Sequence, residues 1–151
     1  MATSRHRRYG GTARTVLADY VSAHAREWAT AWLEEVRTNP VTPRYRSHDA
    51  EELIHDTEAL YNYLAIWLKS ENFDERIETH YRRIGRARKE SGFPLSEVAR
   101  AIQLAKTQLW KGVAGERRLS TALELEVGRV ITRFYDRAIY HTILGYEGQA
   151  P

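Results

Sequence analysis

A chain of 151 residues, 42% apolar and 28% charged, is long enough for one well-filled domain and too short for two. The absence of cysteine excludes disulfide staples, thiol catalysis, cysteine-ligated zinc and iron–sulfur clusters, and leaves stability to packing. The 23 Lys and Arg against 20 Asp and Glu give a net charge of +3 and a pI near 9.3. Four of those cations, Arg5, Arg7, Arg8 and Arg14, stand in the first 15 residues, where there is no acid, so the remaining chain carries 19 basic against 20 acidic side chains. A near-neutral body makes nucleic acid an unexpected partner. No apolar run reaches the roughly 18 residues of a membrane helix, and the N-terminus lacks the apolar segment of a secretory signal. A soluble, cytoplasmic protein with no membrane partner is the expectation.

Residues 1–11 read as a disordered basic arm, with a weak phosphate-contacting arm as the alternative, and 148–151 as a tail. Between them, over 12–147, apolar residues recur at three and four positions, and nowhere do they alternate as in a strand. Five helices are predicted. The first runs from about Thr12 to Thr38, with Val16, Tyr20, His24, Trp28 and Ala31 along one line and Leu17, Val21, Trp32 and Val36 beside it; Asn39 and Pro40 end it. The stretch from Pro40 to His48, with Pro43 inside it, is the longest connection. Asp49 and Glu52 form a capping box for helix two, whose stripe of Leu53, Leu60, Leu64, Trp67 and Leu68 runs to about Lys69.

Asn72 with Glu75 repeats that device for helix three, which carries Phe73, Ile77, His80, Tyr81, Ile84 and Ala87 and stops at Gly92. Pro94 opens helix four, with Leu95, Val98, Ile102, Ala105 and Leu109, ending near Gly112 or Gly115. Helix five runs from Thr121 and Glu124 to about Tyr146. At about 100° per residue, Leu123, Val127, Val130, Phe134 and Ala138 cover one arc and Ile131, Tyr135, Ile139 and Tyr146 extend it sideways. That face is wider than one core requires. Either the helix is central, with neighbours on both sides, or a second copy covers the excess; a homodimer seam over Ile131, Tyr135, Ile139 and Tyr146 is the expectation.

Catalytic signatures are missing: the sequence has no nucleophile elbow, phosphate-cradling glycine loop, zincin helix or dinucleotide fingerprint. Glu52 and His55 have the spacing of a carboxylate-bridged metal site but occur once, where such a site needs a second pair. No enzyme, metal or cofactor is expected. On helix three, Arg82, Arg86 and Lys89 gather opposite the apolar residues, and Arg88 falls at the edge between them. There a guanidinium either reaches past the edge to water or turns inward and requires an anion, from a carboxylate or a ligand. His80, on the inner face, is either a hydrogen-bonded core residue or a ligand contact.

The segment from Ile84 to Ile102 is the most distinctive. Its Gly92 turn followed by Ser96, Glu97, Val98, Ala99 and Arg100 resembles the opening helices of phage-repressor-like DNA readers. Ala101 to Trp110 nevertheless continue in helical period, where a second turn is required. Ile84-Gly85-Arg86-Ala87-Arg88-Lys89-Glu90-Ser91-Gly92 resembles the proximal-helix motif of haem-binding globin sensors, with Arg88 where the ligating histidine stands. A guanidinium has no lone pair for iron.

With Gly92-Phe93-Pro94-Leu95-Ser96-Glu97-Val98 and Phe134-Tyr135, the chain looks most like the haem-less, globin-like N-terminal domains of stressosome RsbR-type regulators. The resemblance covers helices two to five. It implies an all-α, globin-like bundle that receives a signal without enzymatic activity, dimerises through its last two helices and acts on a regulatory protein or output domain. The candidate pocket, for a small apolar or anionic ligand, is His80, Ile84, Ala87 and Arg88 with Trp67 of helix two. The rivals are a haem gas sensor using His80 or His55, and a helix-turn-helix DNA-binding module.

Overall fold

The computed structural model describes the backbone of residues 2–70, 72, 74–114 and 121–148, and the side chains of 13–70, 72, 74–114 and 124–148. Five helices make an all-α bundle: α1 (Ala2–Thr38), α2 (Ala50–Ser70), α3 (Glu75–Glu90), α4 (Leu95–Ala114) and α5 (Thr121–Tyr146), with a 3₁₀ turn at Pro43–Arg46 between α1 and α2. No strand occurs among the described residues. The expected order and number of helices hold.

α1 begins at Ala2, well ahead of Thr12. The backbone of residues 2–11 is helical: Ala2 and the three arginines there favour a helix, and Gly10 and Gly11 weaken it by only about 1 kcal/mol each. Of the line expected along α1, Val16 is exposed; the buried face is centred on Leu17, Val21, Ala25, Ala29, Trp32 and Val36. α1 and α2 lie antiparallel, with outer edges joined by Lys69 to Asp19 (3.0 Å), Ser22 to Asn62 (3.3 Å) and Arg26 to Glu58 (3.3 Å). These pairs are exposed and contribute little beyond register.

The cap of α3 is Asp74, not Asn72. Its carboxylate accepts from Arg76 N (3.0 Å) and Ile77 N (3.2 Å), because it stands immediately before the first helical residue, where an N-cap oxygen reaches the free amides; Asn72 lies too early. Phe73 and Leu123 fall outside the described side chains. Gly92 ends α3 as expected: at φ 80° it lets Phe93 N donate to Arg88 O (2.9 Å) and its own N to Lys89 O (3.0 Å), the paired bonds of a Schellman cap.

α4 lies along α1 and α2, and the contact is made by aromatic donors. Trp32 Nε1 donates to Ala101 O (2.8 Å), Tyr61 OH to Ala105 O (2.7 Å) and Tyr20 OH to Gly112 O (3.2 Å). Each ring buries its area and satisfies its polar atom on a helical carbonyl that has a second lone pair to offer. Gly112 is required here, since a Cβ at this position would overlap the Trp28 ring.

α3 and α5 run in the same direction and touch backbone to backbone. A Cβ on Gly85 would overlap the carbonyl of Thr142, and one on Gly145 the carbonyl of Arg82. The glycine of the Ile84-Gly85 motif is therefore a crossing point. α5 also packs on α4 and α2, with Trp67 Nε1 donating to Val130 O (2.9 Å).

Candidate functional site: a buried arginine beside a small cavity

Among the described residues Arg88 is the only buried arginine, 3% exposed. It turns inward, and its anion is a side chain of the same chain: Nη2 donates to Asp56 Oδ2 at 2.9 Å, while Nη1 lies 3.8 Å from Glu52 Oε1. The alternative of a guanidinium reaching out to water is overturned, because α2 supplies a carboxylate one turn below the Leu60 level. A cation and a carboxylate that are both out of water must be paired, since either alone would be strongly disfavoured.

The pair borders a small cavity of about 40 Å³ between α1, α2, α3 and α4. Of the candidate residues, His80, Ile84 and Arg88 line it, together with Trp32, Tyr45, Asp56 and Thr57. Ala87 is half-buried and does not. Trp67 is buried at a different place, its indole bound to α5. The volume is that of one or two water molecules, far under the roughly 300 Å³ at which drug-sized pockets begin.

His80 is buried, and its Nδ1 lies 3.4 Å from Arg83 Nη2. Burial first, and then the Arg83 cation, push the imidazole down to about 4, against a smaller opposing effect of Asp56; the ring is neutral at pH 7. Its Nε2, like Arg88 Nη1, has no hydrogen-bond partner among the described residues. An unpaired buried donor costs about 1–3 kcal/mol. Burial also pushes the Tyr45 hydroxyl up to about 12, with Arg88 opposing the rise.

Arg88 has a second neighbour. Its guanidinium lies over the Phe93 ring (5.4 Å to the centroid), and Arg44 is 4.9 Å from the same centroid. Tyr45 meets the ring edge-on at 4.6 Å. The Phe93 carbonyl accepts from Tyr146 OH at 2.7 Å, so the last residue of α5 is tied to the turn that follows Arg88. Glu97, buried in the first turn of α4, accepts from Arg44 N at 2.8 Å and fixes the 3₁₀ turn that carries Tyr45.

Sequence reading missed Asp56, Tyr45, Phe93 and Glu97. One signal was present for Asp56: it stands between Leu53 and Leu60 on the apolar stripe of helix two, where an acid has no reason to be unless it is paired. Glu52 and His55 do not converge: Glu52 pairs with His48 Nε2 (3.0 Å) and His55 is exposed. The expected dimer residues separate as well. Ile131 (0% exposed) and Tyr135 (1%) are inside the single chain, so they present nothing to a second copy; α3, α4 and α2 cover that width of α5. Ile139 and Tyr146 are half-buried. Helix four is uninterrupted from Leu95 to Ala114 and has no second turn for a recognition helix.

The structure is an all-α bundle in which a buried arginine–carboxylate pair is joined by contacts through Phe93 to the end of the last helix. The chain belongs to the RsbT co-antagonist protein rsbRD N-terminal domain family, whose model matches residues 22–150. This bears out the resemblance to stressosome RsbR-type domains, which are regulatory rather than catalytic. No curated protein and no solved structure matches the chain. No described helix is long and apolar enough to cross a membrane.

Proposed function

We propose that this chain is a non-enzymatic, cytoplasmic signal-receiving module of a stressosome-type assembly. Residues 12–147 form its globin-like sensor domain. It pairs with a second copy through α4 and α5, and transmits a change at the Arg88 cavity to the end of α5. Its family name supports a role as co-antagonist toward an RsbT-type regulatory protein.

The observation that carries the reading is the continuous link from Asp56 through Arg88 and Phe93 to Tyr146. Anything that shifts the guanidinium shifts the ring beneath it, and with it the acceptor of the Tyr146 hydroxyl. α5 is then the element both ends of the relay bias. For the dimer, the outer side of α5 offers Ile139, Tyr146 and the exposed ring of Tyr140.

Two measurements test this. Sedimentation equilibrium at high micromolar concentration is expected to give a dimer; a monomer removes the interface. Hydrogen exchange in Arg88→Met is expected to rise at least tenfold at the amides of residues 143–147, against unchanged exchange in α1. Equal exchange at 143–147 in the variant and the wild type removes the relay.

A further inference from the structure

Arg88 has its carboxylate, but Arg83, earlier on the same helix, has none among the described residues. We infer that the open groove between α2 and α3 is a binding site for a small organic oxyanion, a carboxylate or a phosphate monoester, that pairs with the Arg83 guanidinium beside Thr79 and Tyr63. The site goes beyond the proposed function and stands without the relay; only a consequence at α5 rests on that reading.

The groove follows from how α3 packs. Gly85 and Gly145 draw α3 against α5, while α3 touches α2 only slightly. An open groove of about 460 Å³ is left between them, within the range of ligand sites. Tyr63 of α2 forms one wall, and Glu75, Arg76, Thr79, His80 and Arg83 of α3 form the other. Positions 76, 79, 80 and 83 are three and four apart and so share one face of the helix. The rings of Tyr63 and His80 meet at 4.9 Å between centroids, which joins the two walls.

Charge selects the ligand. Arg76 donates to Asp74 Oδ2 at 3.0 Å and is offset by it. Arg83 Nη2 reaches His80 Nδ1 at 3.4 Å, a long contact made to an uncharged ring. An oxyanion is a stronger acceptor for a guanidinium fork, and the hydroxyls of Thr79 and Tyr63 are further donors. Because Arg83 is exposed, a ligand reaches it without any opening of the bundle. Glu75, in the same groove, limits the charge that is accepted. A polyphosphate or a nucleic acid would bring several negative charges to one uncompensated cation beside a carboxylate.

The test is an NMR titration of the full chain near neutral pH and at constant ionic strength, with benzoate in one arm and phenyl phosphate in the other. Saturable shifts at Tyr63, Thr79, His80 and Arg83 are expected, with a Kd of about 1 mM or tighter in at least one arm; the tighter arm identifies the headgroup. Arg83→Gln is expected to weaken binding by about tenfold. Arg86→Gln, exposed on α3 outside the groove, is expected to leave it unchanged. The guanidinium protons of Arg83 are expected to exchange with water more slowly once the anion is bound, a readout of the contact itself. Absence of saturation in both arms, equal binding by wild type and Arg83→Gln, equal weakening by Arg86→Gln, or unslowed guanidinium exchange each overturns the site. Saturable binding together with unaltered 143–147 exchange in Arg88→Met keeps this site and removes the relay.

Discussion

Arg88 decides more than its neighbours because it is a charge held where water is absent. Removing Arg88 leaves Asp56 without its cation, and removing the Asp56 charge leaves Arg88 only the more distant Glu52 at 3.8 Å, so Arg88→Met is expected to lower stability by about 3–5 kcal/mol and Asp56→Asn by somewhat less. The double replacement Arg88→Met with Asp56→Leu is expected to recover most of that loss. Denaturant titration of the four proteins checks it, and losses that simply add would show that the two side chains do not interact. His80 gives a pH dependence of known sign. Its folded value of about 4 lies below its ordinary 6.5, so between these the unfolded chain binds a proton that the folded chain refuses. Stability is full above pH 6.5 and is lost as pH falls, by about 2 kcal/mol at pH 5 at 1.36 kcal/mol per unit. His141, also lowered by burial, acts in the same direction. Unfolding measured at pH 7 and pH 5 is expected to show this loss in wild type and a smaller one in His80→Gln; equal losses would place the effect elsewhere.

At the scale of elements, the α3–α5 crossing is the most demanding contact. Gly85→Ala and Gly145→Ala each gain about 1 kcal/mol of helix propensity, yet each places a methyl group on the other helix's backbone. The net expectation is a destabilisation of about 1–3 kcal/mol, the range of overpacked cores, seen as a lower denaturation midpoint. A rise in midpoint would show that the helices part at no cost. The aromatic donors to α4 are smaller, separable contributions: Trp32→Phe leaves Ala101 O with its helical bond alone, and about 1 kcal/mol is expected to go with it. The Schellman turn at Gly92 and the Asp74 cap fix where α3 begins and ends. They thereby fix that Arg88 lies one residue pair from the end of its helix, with Phe93 directly beneath.

For the whole molecule, a cavity of only about 40 Å³ beside Arg88 means that the proposed response is a small rearrangement rather than the opening of a large pocket. The wide face of α5 was legible in the sequence, but who covers it was not. Periodicity reports that a side chain leaves water and is silent on whether its neighbour belongs to the same chain or a second copy. Ile131 and Tyr135 turned out to face α5's own neighbours, so the α5 side of the proposed seam falls to residues nearer the surface, such as Ile139, Tyr140 and Tyr146. Tyr140→Glu is therefore expected to weaken self-association at least tenfold by sedimentation while leaving the thermal midpoint nearly unchanged, since the side chain is 59% exposed.

By itself the sequence determined the number and order of the helices, their apolar faces, the turn at Gly92, the membership in a regulatory family and the odd position of Arg88. These are local quantities: spacing, caps, breakers and a motif read along one strand of chain. Only the tertiary structure decided that Arg88 turns inward, that Asp56 receives it, that Phe93 and Tyr146 continue the contact, and that two glycines bring α3 against α5. Each of these joins residues 5 to 63 positions apart, and a partner across the bundle is chosen by how whole helices pack, which no window of sequence contains.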